Sequence, residues 1–96
     1  MEYATSSGSL AVGTNVIKTT GGAVTAVMLV GGSAASTVIV YESPDGTATG
    51  TVIASLSCAA STSVNLPLDA PVACNKQLVA VVAGTGATAV VHYLPR

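Results

Sequence analysis

The chain has 96 residues, half of them hydrophobic and only 7% charged, with a net charge of −1 and neither Phe nor Trp. This length bounds it to one domain, and the scattered Lys18, Lys76 and Arg96 form no basic cluster, which argues against nucleic-acid binding. Gly, Ser, Thr or Pro interrupts every apolar run. None therefore reaches the roughly 18–20 residues of a spanning helix or the about 9–11-residue strands of a membrane barrel, and no membrane partner is expected.

Met1-Glu2-Tyr3 brings neither a basic stretch nor an apolar segment, so no secretory signal is expected and the chain is expected to assemble in a cytoplasm. Residues 1–10 are rich in Ser and Gly and read as a flexible N-terminal arm ahead of a single domain over residues 11–96. Short β-prone runs then alternate with turn signals. Strands are predicted at 15–19, 23–30, 37–42, 51–56, 63–68, 77–83 and 88–94. Helix is disfavoured, because β-branched residues abound and no window holds a helical apolar stripe. About seven short strands at this spacing predict an all-β fold, an antiparallel β-sandwich or jelly-roll-like module.

Three punctuation points carry more detail. In Ser43-Pro44-Asp45-Gly46, Pro presets φ, Asp can bond its own backbone and Gly accepts positive φ, so a specified turn is expected. Pro67 and Pro71 make a central strand position improbable and place that stretch at a sheet edge or a crossover. Gly84-Thr85-Gly86 joins the last two apolar runs and predicts a tight C-terminal hairpin.

The alternation is apolar on both sides. Val38 and Val40 oppose Ile39 and Tyr41; Leu78, Ala80 and Val82 oppose Val79, Val81 and Ala83; Val91 and Tyr93 oppose Val90, His92 and Leu94. A sheet with one wet face should alternate apolar with polar. A domain this small has no third layer to offer, so a neighbouring chain is expected to cover one face.

Few residues here can do chemistry. Cys58 and Cys74 are read as free thiols in preference to a disulfide, since nothing points to an oxidising compartment. Two Cys and one His without metal-ligand spacing do not build a metal site, and no cofactor motif is present. His92 sits in an apolar strand with no nucleophile elbow elsewhere, and is read as structural or interfacial. Glu42 and Asp45 flank a turn but offer too few oxygens for calcium. An enzyme is not expected.

The order of these elements resembles a known class. The run Tyr41-Glu42-Ser43-Pro44-Asp45-Gly46-Thr47, then Gly50-Thr51-Val52-Ile53-Ala54, then Asn65-Leu66-Pro67-Leu68-Asp69-Ala70-Pro71, and finally Leu78-Val79-Ala80-Val81-Val82-Ala83-Gly84-Thr85-Gly86 resembles small all-β virion structural proteins of tailed bacteriophages, of the capsid decoration (cement) type. The resemblance implies a module assembled in the bacterial host cytoplasm into the virion. It would be a homo-oligomer, with a trimer favoured, and would bind the major capsid protein or other virion proteins. A tail or head–tail accessory protein is the alternative within that class, and a small host-surface or carbohydrate-binding module is the alternative outside it. In this reading Tyr3 and Leu10 anchor the arm on a partner. Val79, Val81, Val91 and Tyr93 in the last two strands face another subunit, so a charge at Val81 or Val91 should abolish assembly.

Overall fold

In a computed structural model, residues 5–95 are described, apart from the side chains at 69–71 and 95. Among the described residues eight strands follow one another without a helix: β1 (Thr5–Ser6), β2 (Gly13–Lys18), β3 (Gly22–Val30), β4 (Ser36–Ser43), β5 (Thr51–Cys58), β6 (Ser63–Cys74), β7 (Gln77–Ala83) and β8 (Thr88–Pro95). They form two four-stranded antiparallel sheets, ordered β1-β8-β3-β6 and β2-β7-β4-β5. Apart from the β4–β5 hairpin, every connection from β1 to β8 passes from one sheet to the other. This order is that of an eight-stranded jelly roll.

The core follows from the alternation. Val24, Val27 and Leu29 of β3 and Ala89 and Val91 of β8 point inward from one sheet. Val38 and Val40 of β4, Ala54 of β5, and Leu78, Ala80 and Val82 of β7 meet them from the other. Side chains this small leave no room for slack: each buried Val contributes about 1.5–3 kcal/mol, and among the described residues no fully buried aromatic adds to that. Tyr93 packs only partly against the cluster.

The last turn differs from expectation. Gly84-Thr85-Gly86 does not close a hairpin, because β7 and β8 belong to opposite sheets. The turn is tight, with the Ala87 N–H donating to the Gly84 carbonyl at 3.0 Å, and it is held by close backbone approach. A Cβ on Gly32 would strike the Thr85 carbonyl oxygen and the Gly86 backbone, and the Ser33 N–H donates to the Thr85 carbonyl at 3.0 Å. Loops 31–35 and 84–87 therefore seat on each other and carry the chain between sheets.

Two other boundaries move. β6 continues through Pro67 and Pro71 to Cys74, which an edge position tolerates because no inner neighbour needs the missing N–H groups. The segment 5–10, expected as a flexible arm, lies along β8. The Ser7 N–H donates to the Val91 carbonyl at 2.8 Å, and Leu10 and Ala89 exchange backbone bonds at 2.7 and 3.0 Å. Leu10 thus anchors on its own chain, packed against the core, while Tyr3 lies outside the described residues.

Candidate interaction surface

Directly opposed residues in an antiparallel sheet share a face. The registers of β2, β7, β4 and β5 therefore assemble a row across the outer face of their sheet: Val16, Val79, Tyr41 and Val52. The next row is Thr14, Val81, Ile39 and Ser55. Neither row holds a charge. Val16 is 48% exposed and Val52 52%, while Val79 between them is 0% exposed. The loop after β4 folds back over this end of the face: a Cβ on Gly46 would lie 2.8 Å from Gln77 Oε1 and 3.6 Å from Val16 Cγ2.

That loop is built from its own sequence. The buried Ser43 Oγ accepts the N–H groups of Gly46 and Thr47 at 3.0 and 3.1 Å, and donates to Asp45 Oδ1 at 3.3 Å. Asp45 Oδ1 also accepts the Thr47 hydroxyl at 2.6 Å and its N–H at 3.2 Å. These bonds favour the ionised carboxyl and hold the Asp45 pKa below its ordinary value, the Thr47 hydroxyl contributing most.

Among the described side chains, charge gathers at one end. Lys18 and Glu42 lie opposite Leu78 on its two flanks, and Asp45 and Lys76 lie in adjacent turns. Loops 31–35, 59–62 and 84–87 at the other end contain no charged residue. The outer face of β2-β7-β4-β5 thus runs uncharged from the Ser43 loop to the neutral end.

The interface residues expected from sequence are not one surface. Val79 and Val81 lie on the outer face of β2-β7-β4-β5. Val91 is 0% exposed and Tyr93 faces inward from the other sheet. Val91 belongs to the core and has no surface to offer a subunit, and Val79 has none of its own either. Tyr41 and Tyr93 cannot form one aromatic patch, being on different sheets and different faces. Val16 and Val52 were not singled out by sequence. Each looks ordinary in its own strand, and only the register places both in line with Tyr41.

Cys58 pairs with Ser36 near one end of the sandwich and Cys74 pairs with Gly22 at the other. The length of β3 separates them by about 26 Å, far beyond the reach of a disulfide. Both thiols are free. Burial pushes the Cys74 pKa up, and the negative charge of Glu42 adds to the rise. His92 sits on the outer face of the other sheet in a row with Ser6, Ala26 and Pro67. Among the described residues no three His, Cys, Asp or Glu side chains gather to hold a metal ion.

No family model matches the chain, and neither the curated proteins nor the solved structures contain a match to it.

Proposed function

We propose that the chain is a structural protein of a bacteriophage virion, a capsid decoration protein that stabilises a shell by fitting against the major capsid protein. The observation that carries the reading is the uncharged row Val16–Val79–Tyr41–Val52, with Ile39 and Val81 beside it. An interface core depleted of charge costs little to desolvate, and Val16 and Val52, about half exposed at the two ends of that row, leave apolar surface for a protein partner. The jelly roll recurs in viral capsid domains, although lectins and cupins share it, so topology supports the reading only by analogy. A carbohydrate site would call for convergent polar groups around exposed aromatics. Here Tyr41 is half-buried in an apolar row and Tyr93 packs against the core.

Quantitative mass spectrometry of purified phage particles tests the proposal. A copy number comparable with the major shell protein is the expected result. A copy number near that of the portal or tail proteins would move the chain to the tail, and absence from particles would overturn the virion reading. The double variant V16K/V52K should fold but be missing from particles, since both side chains are about half exposed and neither belongs to the core cluster.

A further inference from the structure

Two sheets give four edges, and an edge strand presents unpaired N–H and C=O groups that invite another strand. Three of the four are guarded. Among the described residues β1 is two residues long. β2 carries a bulge at Ile17 and ends on Lys18. β6 contains Pro67, Asp69 and Pro71. A short edge, a bulge, a charge and a proline are the recognised devices against strand addition.

β5 differs. Its bulge is at Ile53, where Val40 pairs with Ala54 and Tyr41 with Val52, and beyond it the strand runs regularly from Ala54 to Cys58. These five residues, Ala-Ser-Leu-Ser-Cys, contain no charge and no proline. β5 pairs with β4 alone, and residues 51–57 make no other backbone bond among the described residues.

We infer that β5 is a self-association edge, and that its occupant is β5 of a second copy, paired antiparallel about a twofold axis at Leu56. An antiparallel pair about such an axis is self-complementary, each copy giving and taking the same bonds. The register follows from the side chains. Centring on Leu56 sets Ser55 opposite Ser57 of the second copy, where the hydroxyls can bond, and Leu56 opposite its own copy on the core side. No like charges meet, because the segment has none. The product is an eight-stranded sheet whose two remaining edges are both the guarded β2. In this register the row through Ser55 continues into Ser57, Thr37 and Ala83 of the second copy, none of them charged. The contact is twofold, so it gives an even-numbered assembly instead of the trimer that the resemblance implies.

Sedimentation equilibrium on the purified full chain tests the inference with two charge variants. The wild type should be a dimer that dissociates on dilution. S55K/S57K puts lysine opposite lysine twice and should weaken the dimer by about tenfold or more, with an unchanged circular dichroism spectrum and melting temperature. S55K/S57E puts lysine opposite glutamate across the same axis and should remain dimeric. A wild type that stays monomeric at all concentrations overturns the inference, including the case in which it pairs only with a different protein. Equal loss of the dimer in both variants, or retention in both, overturns the Leu56-centred register. Particle binding does not enter this readout, so the virion proposal and this edge can fail separately.

Discussion

The Asn75 N–H donates to the Glu42 carboxylate at 2.5 Å, tying the end of β4 in one sheet to the turn that leaves β6 in the other. This is where the chain crosses between sheets, beside the buried Cys74. The bond is charge-assisted but exposed, so its net worth lies at the lower end for such bonds. Glu42→Ala should cost about 1 kcal/mol, read as a lower urea midpoint with an unchanged slope. A midpoint equal to wild type would mean that the turn is held by packing alone.

The two thiols should react at different rates. Cys58 is partly exposed, its S–H donating to the Thr62 carbonyl at 3.6 Å, whereas Cys74 is 1% exposed with its S–H directed at the Lys76 carbonyl at 3.4 Å. The thiolate is the reactive form, and the raised pKa of Cys74 keeps its thiol protonated. An aromatic disulfide reagent at pH 8 should modify Cys58 in the native state and Cys74 only as fast as the protein opens. Matching rates would contradict the burial of Cys74.

Asp45 sets an acid limb on stability. Its pKa is depressed in the folded chain by bonds from Thr47 and Ser43. Folding therefore favours the ionised form. The stability it supplies is fully present above the unfolded aspartate value of about 3.9, and is lost as pH falls through the lower folded value. Asp45→Asn should flatten the stability profile below about pH 4 and shift the melting temperature least at the most acid end. A variant profile parallel to wild type across that window would rule out the bonds as its cause.

Fold class was legible because period-two alternation and turn spacing are local signals. The Ser43 loop was legible for the same reason: its Ser, Asp and Gly each act within four residues of sequence. The destination of a strand after a tight turn is not local. Gly84-Thr85-Gly86 reads as a hairpin in either case, and it is the pairing of β8 with the distant β3 and β1, with Gly32 seated on the Gly86 backbone, that places β8 in the opposite sheet. The same limit applies to the surface. The sequence distinguishes two apolar faces in 77–83 and 37–42, but which faces inward, and that Val79 lies in line with Val16 and Val52, depend on pairing between distant strands. Pro67 and Pro71 were informative about edge position but not about length, since an edge strand continues through them.

Val81 and Val91 separate assembly from folding. Both were expected at a subunit contact, but Val91 points into the core with no exposed surface, while Val81 stands on the outer face opposite Thr14 and Ile39. A charge at Val91 is buried without a partner, and the native state can avoid that only by unfolding. Val91→Asp should cost about 4 kcal/mol or more, a large share of the roughly 5–14 kcal/mol expected for a chain of this size, and so yield little soluble folded protein. Val81→Lys keeps its charged end at the surface by extending its stem over Ile39, and should lose less than about 1.5 kcal/mol. Thermal melts of the two purified variants make the comparison. A cooperative melt for Val81→Lys near the wild-type temperature, with loss of particle binding, assigns Val81 to the interaction face. Unfolding of both would mean that the outer face is itself part of what holds the chain together, and that a charge on it reports on folding and not on docking.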